Sequence, residues 1–371
     1  MSAERESIRA AFLRAANWGN ASIVPLPGDA STRHYARLAM NGRTALLMDQ
    51  PQGAESPSAP PGASATERRK LGYNAVARLA GPDCSRFVAV SNYLRSLGLS
   101  APDIYALDAA NGFVLIEDLG DELYADVLNR GAGERLLYAT AAELLAGLHT
   151  RPAPEALPLD KPLYRYDEVA LIAETDLLIE WFIPVALGRA ATSTETDMHR
   201  ELWRTLLHPV LRSPPVFVHR DFHAQNLMWL PQRSGTARVG LIDFQDAVAG
   251  PQSYDLISLV EDARRDVSPA VAEATTRRYL DALAALGTAI DETAFRGQMA
   301  IMAAQRNAKI VGIFSRLSSR DGKSRYLEYL PRVWGYLERD LEHPSLAALR
   351  QFYHRVLPAK ARRSSEAIAV S

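Results

Sequence analysis

The chain is notable first for what it lacks. It has one cysteine, Cys84, in 371 residues, which excludes an intramolecular disulfide framework and a cysteine-built zinc site. No apolar run is long enough to span a bilayer. The charged start, Met1-Ser2-Ala3-Glu4-Arg5-Glu6, leads into an amphipathic stretch rather than the apolar core of a secretion signal. Neither sign of charge is in excess: 42 Lys and Arg stand against 43 Asp and Glu, a net charge of −1. There is thus no global basic field to draw in nucleic acid or an anionic membrane. Lysine is scarce early on, with Lys70 alone before Lys161, and no internal repeat is present. These absences predict a cytoplasmic protein with no nucleic-acid, membrane or obligate protein partner.

What remains is ordinary globular material, 47% hydrophobic and 23% charged, and enough of it for two lobes with sizeable cores. Residues 4–17 read as a helix with Ile8, Phe12 and Leu13 on one face. Strands are expected at 23–26, 31–38 and 44–49, and a helix over 87–97 ends at Gly98. Two further strands, 104–108 and 112–117, flank the turn Asn111-Gly112. Pro51 to Pro82 is rich in Pro, Ser, Ala and Gly, and its first half is the best candidate for a mobile loop. After Glu117-Asp118-Leu119-Gly120 the pattern turns helical, over 133–149, 166–190, 195–212, 252–263, 268–286, 291–317 and 323–341. The expected fold is therefore α+β. A small antiparallel sheet with a helix forms an N-lobe over residues 1–118, and residues 119–371 form a mostly helical C-lobe.

The helical part is interrupted by the most informative stretch of the sequence. Pro215-Val216-Phe217-Val218 is a short apolar run feeding His219-Arg220-Asp221-Phe222-His223-Ala224-Gln225-Asn226. Two more short apolar runs, 226–230 and 237–242, are joined by a turn that contains Gly235, and the second leads into Asp243-Phe244. They read as a hairpin with Asn226 at its entrance and Asp243 at its exit, so that both polar ends can reach one metal ion. The order carboxylate, amide, carboxylate is the one that kinase-like phosphotransferases use. There the first Asp accepts the proton of an attacking hydroxyl, and the Asn and second Asp hold Mg²⁺ on the nucleotide phosphates.

With Ile242-Asp243-Phe244-Gln245-Asp246 and Gly250-Pro251-x-x-Tyr254-Asp255-Leu256 added, the chain resembles the aminoglycoside-phosphotransferase-like kinases, whose fold is the protein-kinase-like two-lobe arrangement. The resemblance implies ATP and Mg²⁺ as cofactors, Asp221 as catalytic base, and Asn226 and Asp243 as metal ligands. It gives His219 and Asp255 structural tasks, Asp255 bonding back to the catalytic loop. One branch is closer: the anomeric kinases of N-acetylmuramate and N-acetylglucosamine in cell-wall recycling. That likeness rests on Gly28-Asp29-Ala30-Ser31-x-Arg33-x-Tyr35-x-Arg37, on Met48-Asp49-x-Pro51, on the stretch from Asp255 to Arg264, and on Gln305-Arg306-Asn307-x-Lys309. It implies phosphorylation of the anomeric hydroxyl to a sugar 1-phosphate in peptidoglycan recycling. The alternatives are another small-molecule kinase of this fold, acting on an antibiotic, choline or a thiosugar, or a non-catalytic nucleotide-binding regulator.

On the nucleotide side, the end of the strand at Glu117-Asp118-Leu119 offers backbone groups to an adenine edge, unless it is a plain linker. Gly28, Asp29, Ala30 and Ser31 form a small-residue turn whose N–H groups suit phosphate oxygens, although a mere hairpin turn would look the same. A kinase-like fold usually places a Lys on its third strand, paired with a Glu on the following helix. Here Met48 and Asp49 stand at that place and the helix 87–97 has no Glu; the resemblance implies that the branch shares the missing strand Lys. The positive charge must come from elsewhere, and Arg33 and Arg37 are candidates, or else members of a solvated face. For the sugar, His223 should share the cleft with Asp221, and Glu180-Trp181 joins a carboxylate to an aromatic face, or simply packs the core. Arg264 and Arg265 suit a carboxylate, unless they only end a helix. Arg306 and Lys309 lie one turn apart in an otherwise apolar helix.

Overall fold

Alternation along short strands builds the first part of the chain. In the computed structural model, which describes residues 3–27, 32–51 and 55–363, the first five strands form one antiparallel sheet. They are β1 (Ser22–Pro25), β2 (His34–Met40), β3 (Arg43–Asp49), β4 (Ile104–Asp108) and β5 (Phe113–Ile116), in the order β1-β2-β3-β5-β4. Asn41 and Gly42, at φ 52° and 73°, close the β2–β3 hairpin, as a two-residue turn with both central φ positive requires. Alternate residues Leu38, Ala45, Leu47, Phe113 and Leu115 face one side of the sheet. They bury Phe12 and Leu13 of the helix Ala3–Ala15. The helix Cys84–Ser96, capped by the Asp83 side chain on the Ser85 N–H, packs on β4 and β5.

The chain divides into two compact units. One takes the residues up to Ala132 together with Pro154–Tyr164 and Gln225–Ala247, and the other takes Gly133–Ala153, Arg165–Ala224 and the residues from Val248 on. Within the first unit, Ala65–Leu71 and Tyr73–Val76 are short helices, the former opened by a Ser64/Glu67 capping box. Buried Arg68 donates to the carbonyls of Ala75 and Val76 and fixes their join. The expected hairpin is present as Leu227–Trp229 paired with Val239–Leu241. It is tied down by Ser100 Oγ donating to Ala237 O at 2.6 Å and Trp229 N donating to Glu122 O at 2.7 Å.

The second unit is mostly helical. Its longest helix, Glu292–Asp321, packs on Glu168–Leu177 and Leu330–Asp340, while Glu134–His149 packs on Pro269–Ala285. The crossing with Glu168–Leu177 is so close that a Cβ on Gly312 would lie 2.3 Å from the Leu177 carbonyl carbon. Among the described residues, no helix is long and apolar enough to cross a membrane.

Several expectations are revised. The helix expected over 166–190 is interrupted: Glu168–Leu177 passes into a π-turn at Leu178–Phe182 before Ile183–Leu187. Strands also occur outside the hairpins expected over 219–243, at Ala156–Leu157, Lys161–Pro162 and Val248–Gly250. The last of these pairs with Val216–Val218. The helix expected at 323–341 begins as a 3₁₀ turn, Ser324–Tyr329. Ala347–Val356 adds a helix that was not anticipated. Residues 52–54, in the stretch expected to be mobile, lie outside the described residues.

Candidate active site

In the second unit, Val216–Val218 delivers the chain to His219 and Arg220, where the backbone leaves the ladder and its N–H groups need new acceptors. Asp255, fully buried in the helix Tyr254–Val260, supplies both, accepting from His219 N at 2.6 Å and Arg220 N at 2.8 Å. Burial pushes the Asp255 carboxyl up to about 7 even though both N–H groups pull it down. Arg220 is left at φ 82°, a conformation that costs a non-glycine residue about 1–3 kcal/mol. Its buried guanidinium is ion-paired to Glu174 and lies over the Tyr166 ring at 4.8 Å, contacts that hold the strained turn in place. The far end of the loop is pinned by Asp262, which accepts from Ala224 N at 3.3 Å and Arg264 N at 2.8 Å.

Asp221 is thereby held in a pocket whose polar lining is His223, Tyr254, Arg264, Arg306 and Lys309, and whose apolar lining includes Ile310, Ile313 and Phe314. Burial pushes the Asp221 carboxyl up, but Lys309, His223, Arg220 and His219 more than offset it, so Asp221 sits below the usual carboxylate range. Burial lowers His223, outweighing Asp262 and Asp221, so its imidazole is neutral at pH 7. Arg264 Nη1 lies 3.3 Å from His223 Nε2. Arg306 donates to the Glu261 carbonyl at 3.1 Å and Ser258 Oγ at 2.9 Å, so it also ties two elements of the pocket wall together. His219 packs edge-on against Phe222. Glu180 and Trp181 fall in the π-turn and do not line the pocket that holds Asp221.

In the first unit, Asp243 leaves the strand Val239–Leu241 at φ 59°. The next side chain, Phe244, stacks on Phe87 with ring centroids 4.8 Å apart. Asn226 enters the opposite strand. Its carbonyl accepts Ile242 N at 3.2 Å, and its Nδ2 lies 3.5 Å from Asp243 Oδ2. Asp243 Oδ1 pairs with Arg33 Nη2 at 3.1 Å and accepts Gln245 Nε2 at 3.3 Å, while its side chain stays 41% exposed. Arg37 turns elsewhere, to Asp118 at 2.7 Å and Asp121 at 2.8 Å. Met48 is fully buried on β3, and Asp49 beside it pairs with Arg5 of the first helix. At the end of β5, Glu117 N donates to Asp103 O at 2.8 Å, and its side chain pairs with Arg233 at 3.0 Å. Among the described residues, the Glu117 carbonyl and the Leu119 N–H are not taken up. Gly28, Asp29, Ala30 and Ser31 lie outside the described residues.

The second unit thus carries a carboxylate on a strained loop, and the first unit an amide–carboxylate pair at a hairpin's ends. Residues 22–289 match the phosphotransferase enzyme family. The chain belongs to that family. A member from Caulobacter vibrioides, an N-acetylmuramate/N-acetylglucosamine kinase, is 42% identical over 98% of this chain and 99% of its own. A kinase of the same name from Pseudomonas putida is 32% identical over 90% of this chain and 88% of its own. Among solved structures, a microcompartment-associated aminopropanol kinase superposes with a TM-score of 0.60 at 16% identity, covering 92% of this chain and 99% of its own. A choline kinase from Streptococcus pneumoniae gives 0.56 at 15% identity, with coverages of 94% and 100%. These two likenesses establish the protein-kinase-like fold.

Around the candidate site of this phosphotransferase stand residues that sequence reasoning did not find. Glu174 sits in an apolar helix, and nothing in its spacing announces that it meets Arg220. Phe87 and Gln245 set Asp243 through contacts that depend on the fold. Lys309 was legible, as one half of a basic pair in an apolar helix.

Proposed function

We propose that this phosphotransferase moves the terminal phosphate of ATP to the anomeric hydroxyl of an N-acetylated amino sugar, N-acetylmuramate or N-acetylglucosamine. The observation that carries this reading is the pocket around Asp221, where Arg264, Arg306 and Lys309 outnumber the single carboxylate. Such a wall suits a neutral or anionic sugar and repels a polycationic aminoglycoside. The names of the relatives point to the same substrates.

Asp221 is the base. It is a carboxylate at neutral pH, and the anomeric hydroxyl is more acidic than an ordinary alcohol, so a weak base oriented on it suffices. As the sugar oxygen bonds to the γ-phosphorus, the bond from that phosphorus to the β–γ bridging oxygen breaks, and the hydroxyl proton passes to Asp221. His223 and Arg264, side by side on the pocket wall, contact the sugar. Arg306 holds that wall and contributes charge. Glu180 and Trp181 have no part in this pocket.

The nucleotide belongs with the first unit. The free Glu117 carbonyl and Leu119 N–H suit an adenine edge, and Arg33 serves the phosphates in place of the absent strand Lys, while Met48, fully buried, has no face open to the base. Asn226 and Asp243 would hold Mg²⁺. They fit it, because two hard oxygen donors at an exposed hairpin end leave the remaining positions to phosphate and water, as this cation prefers. When bound, the ion neutralises charge on the phosphates. Incubation with ATP and a panel of sugars, read by ³¹P NMR, tests the reading. A phosphate on the anomeric carbon is expected; phosphate on C6, or no turnover of any amino sugar, would refute it.

A further inference from the structure

Four charges, Glu174, Arg220, Lys309 and Asp221, stand together at the pocket, and only Asp221 among them meets the reacting atoms as described so far. Glu174 is fully buried, and both of its oxygens are occupied. Oε1 takes Arg220 and, at 3.0 Å, the Lys309 ammonium. Oε2 takes the Tyr166 hydroxyl and, at 3.1 Å, Gln305 Nε2. Lys309 Nζ also lies 3.3 Å from the Tyr254 hydroxyl, which is 3.2 Å from that of Tyr166. Lys309 and Asp221 line the same pocket. Glu174 and Asp221 together balance Arg220 and Lys309, so the group is neutral as a whole, and losing one member leaves a buried charge uncompensated.

The geometry is not that of a plain structural ion pair. One Glu174 oxygen holds two cations with different tasks: Arg220 immediately precedes Asp221 on the strained loop, and Lys309 comes from the long helix Glu292–Asp321. We propose that Lys309, tethered by Glu174 and Tyr254 on the pocket it shares with Asp221, is a positioning residue for the transfer, and that Glu174 links it through Arg220 to the backbone beside the base. The proposal rests on Asp221 being the base of the reaction proposed above. It also explains how the base stays a carboxylate inside a buried pocket. Lys309 is the largest of the nearby charges that offset burial at Asp221. Its own ammonium is held well above the usual range, burial being outweighed by Glu174, Tyr254 and Asp221.

Other charged or titratable groups face the same carboxylate. His219, Arg220 and His223 come from its own loop, and Arg306 from the long helix. Asp255 interacts with it from the helix Tyr254–Val260, and Arg264 from the turn that follows. Asp255 opposes the effect of Lys309, and the cations reinforce it, so the net outcome must be read from variants with opposite signs.

Lys309→Met removes the ammonium and should raise the Asp221 carboxyl. Glu174→Gln keeps the ammonium and removes its counter-charge, and should shift Asp221 the other way or leave it low, while turnover falls because the tether is lost. The Asp221 carboxyl is followed by ¹³C NMR, assigned against Asp221→Asn, alongside the pH profile of kcat. In Lys309→Met the acidic limb of that profile should move up toward neutrality, and Lys309→Arg should return it toward its wild-type position. An Asp221 titration unmoved in a folded Lys309→Met, or the same direction of shift in Lys309→Met and Glu174→Gln, would overturn the proposal. If Lys309→Met does not fold, the Glu174→Gln titration and the rescue by Lys309→Arg still decide it. A wild-type enzyme that phosphorylated no amino sugar would refute the substrate reading instead, and the carboxyl titration would still decide the role of Lys309.

Discussion

Asp255 accepts the backbone N–H groups of both His219 and Arg220, at 2.6 and 2.8 Å, from inside the helix Tyr254–Val260. A single side chain thus supplies the acceptors that the loop lost when it left the strand pair. Asp255→Asn keeps the shape but replaces one acceptor oxygen with a donor group facing an N–H. One buried N–H is left unsatisfied, at a cost of about 1–3 kcal/mol. Urea unfolding should show that loss. Turnover should also fall in protein that is still folded, because the Arg220 turn that aims Asp221 relaxes.

Asp221→Asn removes the proton acceptor and little else. Turnover should drop by roughly 10²–10⁴-fold, the usual worth of a general base. ATP affinity, measured by calorimetry, should stay near wild type, since the residues assigned to the nucleotide lie in the first unit. A variant with more than a tenth of wild-type turnover would exclude Asp221 as the base.

Asp243→Ala takes away one of the two assigned metal ligands and the partner of Arg33. Mg²⁺-dependent ATP binding should weaken far more than binding of ATP without metal. In the wild-type enzyme, EDTA should abolish turnover and added Mg²⁺ restore it. Equal loss with and without Mg²⁺ would leave Asp243 a structural residue.

Gly312→Ala should be poorly tolerated. The added Cβ would lie 2.3 Å from the Leu177 carbonyl carbon and 2.6 Å from its oxygen, both of them backbone atoms that cannot turn aside. The helices must separate, at a cost of about 1–3 kcal/mol by the usual measure of overpacking. Thermal or urea unfolding measures it directly.

His149 links stability to pH. Buried against Tyr279, with its Nδ1 2.8 Å from that hydroxyl, it is pushed down to about 3 by burial, against a backbone bond at Phe217 that raises it. In the unfolded chain it titrates near its ordinary value of about 6.5, so below that pH the unfolded state takes up a proton that the folded state refuses. The stability contribution is therefore fully present above about 6.5 and is lost as pH falls toward 3. Between pH 7 and pH 5 the loss should be roughly 2 kcal/mol, and it should be absent in a folded His149→Gln.

Much of this was legible beforehand, wherever the physics is local. Phe12 and Leu13 announced their face by helical spacing, and Asn226 and Asp243 announced the two ends of a hairpin through the apolar runs between them. Asp255 was legible only through family likeness, since no spacing rule says that a helix carboxylate will cap a loop 35 residues upstream. Glu174 and the π-turn at Leu178–Phe182 were not legible at all. The first depends on two helices meeting at Gly312 and Leu177, and the second on a helix that satisfies neighbours on two sides. Residues 166–190 carry no Gly or Pro before Pro184 to mark the interruption.

That interruption changes the phase of its helix. In the π-turn, Ile183 N–H reaches back to Leu178 O, one residue further than an α-helix allows. Each α-helical residue turns the chain by about 100°, so the extra residue rotates everything after it by about that angle relative to everything before. The stretch before it can keep Glu174 under Arg220, while Phe182 packs on Trp334 with ring centroids 5.2 Å apart. Deleting one residue between Leu178 and Phe182 would straighten the helix and force a choice between those two contacts. Deleting Ile179, which removes no charged side chain, would then be felt at the loop that carries Asp221.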